Sequence, residues 1–230
     1  MKIVKQKESL PVMNLDSYVG DEINHLQKRH GSLLPKSIRS VICGPSNCGK
    51  SNLMLTLLFD PKGLKFENIY VYSKSLYQPK YEFLKEVMHI PKMGYYAYKE
   101  NDEILSPADA KQNSIFIFDD VACDGQEKIR EYFSMSRHMN VDCFYLCQTY
   151  TRIPKHLLRD NASLIILFKQ DDLNLKHVFN DHVSSDMTFE KFKHLCTECW
   201  KDKYGFLTID KENDLDDGRY RKNLDQYIML

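Results

Sequence analysis

The chain has 230 residues and sets 32 Lys and Arg against 32 Asp and Glu, so no overall positive field draws it to nucleic acid. With 43% hydrophobic and 28% charged residues it has the composition of a folded globular protein, not a disordered or fibrous one, and the length favours one core over two independent domains. No run approaches the roughly 18 apolar residues of a membrane span, the amino terminus has no apolar run of signal-peptide length, and seven scattered cysteines suit buried free thiols of a reducing compartment.

In chain order, residues 1–36 mix charge with scattered apolar positions and read as an N-terminal arm. From residue 37 the pattern becomes strand and helix in alternation: Ile38–Cys43 as strand, Asn52–Phe59 as helix, Ile69–Tyr72 as strand, Tyr81–Met88 as helix. Ser114–Phe118, Val141–Cys147 and Ser163–Phe168 are continuous apolar runs of central-strand length, with a helix expected over Gln126–Met139. Helices are expected over Leu173–Val183 and Phe189–Trp200, then a strand over Tyr204–Asp210. The spacing predicts an α/β domain over 37–210, a mainly parallel sheet covered by helices, followed by a charged tail over 211–230.

Between the first strand and the first helix lies Gly44-Pro45-Ser46-Asn47-Cys48-Gly49-Lys50-Ser51-Asn52, which fits G-x-x-x-x-G-K-[ST]. In such a loop backbone N–H groups wrap phosphates, Lys50 neutralises the outer phosphates, the Ser51 hydroxyl meets Mg²⁺, and the helix that follows adds its positive end. The strand Ile115–Phe118 ends in Asp119-Asp120, where a P-loop enzyme places the acid that holds Mg²⁺, so Asp119 is the candidate magnesium residue with Ser51. Asp120 either orients and deprotonates the attacking water or simply forms a turn. Gln148 closes the strand Val141–Cys147. If that strand lies between the P-loop strand and the Asp119 strand, its amide faces the γ-phosphate; otherwise it is a polar strand end. Among Arg130, Arg137, Arg152 and Arg159, Arg137 sits just before the Gln148 strand, hence at the opposite end of the sheet. It reaches a nucleotide only across a head-to-tail subunit contact, or else is a solvated helix-end cation.

The P-loop, the Asp-Asp strand end, the strand ending in Gln and the Arg before it together resemble the FtsK–HerA superfamily of DNA-pumping ATPases. More closely, the chain resembles the poxvirus-type viral genome-packaging ATPases. The likeness rests on Ser40–Ser51, Phe116–Asp120, Arg137-His138-Met139-Asn140, Gln148–Pro154 and Leu158–Phe168, and covers roughly residues 36–210. It implies a RecA-like core with sheet order 5-1-4-3-2, hydrolysis of Mg·ATP, a homo-oligomeric ring with Arg137 acting in trans, and double-stranded DNA pumped into a preformed capsid. The implied setting is the site of virion assembly inside the host cell, or the virion itself, with a capsid protein as a further partner and no membrane. It also implies catalytic roles for Lys50, Asp120, Gln148 and Arg137. Many members of the wider superfamily carry Glu where this chain has Asp120, one methylene shorter.

The P-loop alone would equally suit a nucleotide kinase, but no Arg-rich lid follows its helix. Two other readings keep the same core: a helicase or conjugation-type DNA pump, and a nucleotide-dependent assembly protein without turnover. His177, His182, Cys196 and Cys199 have a superficial zinc-like spacing, yet two histidines five apart do not share a helix face. The run Met93–Lys99, with Lys74, Lys80 and Lys99 near in sequence, reads as a stacking or phosphate-contacting surface or as an edge strand with half-buried tyrosines. The loop Tyr150–His156 is the candidate for contact with DNA or a neighbouring subunit, since it directly follows Gln148.

Overall fold

A computed structural model describes residues 30–89 and 93–230; the arm expected over 1–36 falls mostly outside these. Strands β1 (Arg39–Cys43), β2 (Asn68–Ser73), β3 (Gly94–Tyr98), β4 (Ser114–Asp119), β5 (Val141–Cys147), β6 (Leu164–Leu167), β7 (Leu207–Asp210), β8 (Tyr220–Lys222) and β9 (Gln226–Tyr227) form one sheet. Their order is β3-β2-β4-β5-β1-β6-β7-β8-β9. Neighbours from β3 to β6 are parallel, and β6 to β9 pair antiparallel.

The five strands anticipated for the core, β1, β2, β4, β5 and β6, follow the expected 5-1-4-3-2 order, but the sheet is wider than that pattern on both sides. On one side the tyrosine-rich run forms the edge strand β3. Tyr96 stacks on Tyr70 with ring centroids 4.6 Å apart and receives a 2.5 Å hydrogen bond from Lys111 Nζ, so Tyr96 is engaged within the fold. On the other side, residues 211–230, set apart by sequence as a charged tail, carry β8 and β9.

The helices are α1 (Lys50–Phe59), α2 (Pro79–Met88), α3 (Glu127–Met135), α4 (Asp172–His182) and α5 (Phe189–Cys199). The first two cover one sheet face, with Leu53, Met54, Leu57, Tyr81 and Leu84 packed on Ile42, Ile117 and Leu146. The other three contribute Ile129, Phe133, Val178, Phe192 and Cys196 to the opposite face, against Val41, Phe118 and Cys143. Coverage of both faces explains why the central strands read as unbroken apolar runs instead of alternating. The helix expected over Gln126–Met139 ends at Met135 and tightens into a 3₁₀ turn over Ser136–Met139, closed by Asn140 at φ 54°. Asp171 caps α4, accepting from Asn174 N at 2.8 Å, and Thr188 caps α5. Cys43, Cys143, Cys147, Cys196 and Cys199 are buried free thiols, whereas Cys123 is exposed.

Candidate active site

Because β4, β5 and β1 are adjacent and parallel, their carboxyl ends bring three motifs to one rim of the sheet. Asp119, the last residue of β4, pairs with Leu146 of β5; Cys43, the last of β1, pairs with Cys147. Gln148 follows directly, between the P-loop and the Asp-Asp pair, which is the placement its sensor reading required. A cavity of about 230 Å³ opens here, lined among others by Ser46, Lys50, Ser51, Asp119, Asp120 and Gln148.

The P-loop leaves β1 through Gly44, whose N–H donates to Cys147 O at 3.1 Å. A Cβ at Gly44 would lie 2.6 Å from both Cys48 Sγ and Phe168 Cβ, so this position has room for glycine only. Asn47 at φ 61° and Gly49 at φ 111° make the left-handed bends that turn the chain into α1. No side chain caps α1, which leaves the first-turn N–H groups available to an anion. Lys50 Nζ donates to the carbonyls of Gly44 at 2.5 Å and Pro45 at 2.9 Å, arching back over the loop. The Cys48 thiol pKa is pushed up by burial, with the Lys50 charge opposing.

Ser51 and Asp119 face each other across a single cation position. Lys80 Nζ lies in it, 3.0 Å from Ser51 Oγ and 2.7 Å from Asp119 Oδ2. Tyr81 also donates its hydroxyl to Asp119 Oδ2, and its own pKa is raised by burial and by that neighbouring carboxylate. The pair thus fits a magnesium ion by the chemistry of its oxygens and by a side-chain ammonium already standing between them. From sequence Lys80 was named only alongside the tyrosine-rich run as a phosphate contact, not between Ser51 and Asp119, and Tyr81 was not singled out. The signal was there in Gln78-Pro79, which starts a helix just past the end of β2, the neighbour of β4.

Asp120 adopts φ 58°, in the left-handed region that Asp and Asn enter more readily than other non-glycine residues, directly after the strand. Gln148 Nε2 donates to both its carboxylate oxygens, at 3.2 and 3.3 Å. Arg152 lines a second cavity of about 230 Å³ with Asp120, Cys123 and Gln148. Of the remaining arginines, Arg159 is buried against Asp181 at 2.7 Å. Arg137 lies in the 3₁₀ turn before β5, at the end of the sheet away from Gln148, as its position in the sequence requires. His182 is buried with Nε2 2.7 Å from Tyr150 Oη, and among the described residues no group of His, Cys, Asp and Glu is placed to hold a metal by itself. Among them too, no helix is long and apolar enough to cross a membrane.

The family model described as Poxvirus A32 protein matches residues 25–191. The chain belongs to this family. Its fold is also similar to the genome packaging NTPase B204 of Sulfolobus turreted icosahedral virus 2, solved with sulfate: 19% identity, 76% of this chain and 92% of that one, TM-score 0.55. The AMPPCP complex of the same protein matches at 16% identity over 78% of this chain and 95% of that one, TM-score 0.54. The DNA-packaging ATPase B204 of Sulfolobus turreted icosahedral virus matches at 17% identity, 75% and 92% coverage, and TM-score 0.50. No curated protein sequence matches the chain.

Proposed function

We propose that this Poxvirus A32 family member is the ATP-hydrolysing subunit of a genome-packaging motor that moves double-stranded DNA into a preformed capsid. The observation that carries the reading is the single rim where a P-loop, a Ser51–Asp119 cation position and a hydrogen-bonded Asp120–Gln148 pair meet. The likeness to B204, a packaging NTPase solved with an ATP analogue, supports it.

In this reading the loop Gly44–Asn52 binds the phosphates of ATP through its N–H groups, and Lys50 swings from its carbonyl contacts to the outer phosphates. Ser51 and Asp119 hold Mg²⁺, which when bound neutralises phosphate charge. Asp120 accepts the proton of the attacking water. Gln148, hydrogen-bonded to Asp120, exchanges that contact for the γ-phosphate and so reports its presence to the loop Tyr150–His156. Arg137 acts on the nucleotide of the next subunit in a ring, because its position places it away from its own.

Steady-state ATP hydrolysis with and without double-stranded DNA tests this. Asp120→Asn is expected to lower turnover by about 10²–10⁴ while retaining nucleotide binding, and Lys50→Ala to lose binding. Arg137→Ala subunits mixed with Asp120→Asn subunits should regain activity. A wild type that binds ATP and assembles but never hydrolyses it would instead favour the nucleotide-dependent assembly protein.

A further inference from the structure

Beside the phosphate cavity the surface continues into a second hollow of about 290 Å³, lined by Asn47, Gly49, Lys50, Ser51, Asn52 and Tyr204. Gly49, Asn52 and Tyr204 in turn border a third of about 370 Å³, whose other walls include Phe168, Phe206 and Asn223. Along this path the lining runs from Lys50, Asp119 and Asp120 in the first hollow, through Lys50 with the polar Asn47, Ser51 and Asn52 in the second, to the aromatic Phe168, Tyr204 and Phe206 in the third, where Asn52, Asn223 and Asp225 supply the polar edge. That is the order in which a nucleoside triphosphate presents triphosphate, ribose and base.

Tyr204 divides the second hollow from the third. It is 55% exposed, and its backbone sits at φ 82°, where non-glycine residues are rare. A Cβ built on Gly49 would lie 3.5 Å from Tyr204 Cδ1, so the ring stands directly over the P-loop turn. The next residue, Gly205, packs so closely that a Cβ there would come 2.2 Å from Cys199 O, and its N–H donates to Asp202 O at 2.9 Å. Lys203 Nζ lies 5.0 Å from the ring centroid. Behind it, Phe168 and Phe206 pack at 5.1 Å and form an apolar floor. Asn223, at φ 55°, donates its N–H to Phe206 O at 2.9 Å and accepts from Phe206 N at 3.3 Å through Oδ1. Its Nδ2 makes no hydrogen bond among the described residues.

We infer that the hollow between Tyr204, Phe206 and Asn223 is the site of the purine base of the bound nucleotide, with Tyr204 stacking on the ring and Asn223 Nδ2 donating to a ring nitrogen. This rests on the nucleotide reading of the P-loop and assigns the α5–β7 loop and the β8–β9 turn to the same ligand. Stacking on an aromatic side chain tolerates any base, whereas the amide adds a preference for one that presents an acceptor at that edge.

Calorimetric titration of the full chain with Mg·ATP and, separately, inorganic tripolyphosphate tests the assignment. Wild type should bind ATP more tightly than tripolyphosphate. Tyr204→Asn, which keeps a residue tolerant of positive φ, should raise the Kd for ATP about tenfold or more and leave that for tripolyphosphate unchanged, while Tyr204→Phe keeps both. Equal affinity of wild type for the two ligands overturns the base site whatever the variants do. So does a Tyr204→Asn protein that binds ATP as wild type does, or that loses both ligands equally. Failure of wild type to bind either ligand overturns the nucleotide reading itself, so the two failures are distinguishable.

Discussion

The ammonium of Lys80 between Ser51 Oγ and Asp119 Oδ2 puts a side chain where the proposed magnesium would stand. Asp119 is almost fully buried, so removing its partner leaves the carboxylate with the Tyr81 hydroxyl as its remaining hydrogen-bond donor among the described residues. Lys80→Met is therefore expected to lower unfolding free energy by about 1–3 kcal/mol, read from urea denaturation. Because Lys80 and a metal compete for the same oxygens, the same variant should need less Mg²⁺ for half-maximal nucleotide binding; a higher requirement would show that Lys80 assists the metal instead. Ser51 and Asp119 were paired in the sequence reading because phosphate-binding chemistry sets such residues at fixed offsets from a strand end, and the fold places them on either side of one ammonium. The place of Lys80 between them was not legible, since a lysine in a helix first turn ordinarily faces water, and only the packing of α2 beside β4 brings it in.

The loop after β5 is tied to α4. Tyr150 donates its hydroxyl to Asp181 Oδ2 at 3.1 Å and lies 2.7 Å from His182 Nε2, while Arg159 Nη1 donates to Asp181 at 2.7 Å and Thr151 N to Asn174 Oδ1 at 3.0 Å. Tyr150 has one proton and gives it to Asp181, so the His182 Nε2–H donates to Tyr150. Tyr150→Phe should cost about 1–3 kcal/mol in thermal or urea unfolding, since it strands buried partners. Burial, followed by the charges of Lys211, Arg159 and Arg219, lowers the His182 pKa from 6.5 to about 3. Between those values the unfolded chain binds a proton that the folded chain refuses, so His182 makes stability rise with pH from about 3 to 6.5 and fall on acidification. The slope attributable to it is at most about 1.4 kcal/mol per pH unit. His182→Gln should flatten that part of the stability–pH curve, and an unchanged slope would remove His182 as its source.

At the scale of the molecule, the antiparallel end of the sheet is held by a buried ion pair. Arg221 Nη2 donates to Asp210 Oδ2 at 2.8 Å with both side chains 1% exposed, and Arg221 Nη1 reaches Leu33 O at 2.5 Å, joining the start of the described chain to β8. Burial raises the Asp210 pKa and Arg221 opposes the shift. Arg221→Met alone should cost about 3–5 kcal/mol because it leaves a buried charge unpaired, whereas Arg221→Met with Asp210→Asn should cost less than the two single changes together. Denaturant unfolding of the four proteins measures the coupling. Additive losses would mean that the two groups act independently. This end of the sheet also supplies Asn223 and Phe206 to the proposed base site, so the last twenty residues serve both the fold and the ligand.

From sequence alone, the P-loop, the acid pair, the terminal Gln and the parallel core were readable, because strands buried on both faces leave long apolar runs and phosphate chemistry fixes residues at set spacings. Even the adjacency of Gln148 to the phosphate rim followed once the strand order was anticipated. Residues 211–230 did not yield to the same reading. Their strands are two and three residues long, and a run of charge has no periodicity to mark β8 and β9. Tertiary structure alone decided that Arg221 is buried, that Lys80 stands between Ser51 and Asp119, and that Tyr204 overhangs Gly49. Each of these depends on which elements become neighbours, and a local pattern of residues does not record what lies across from it.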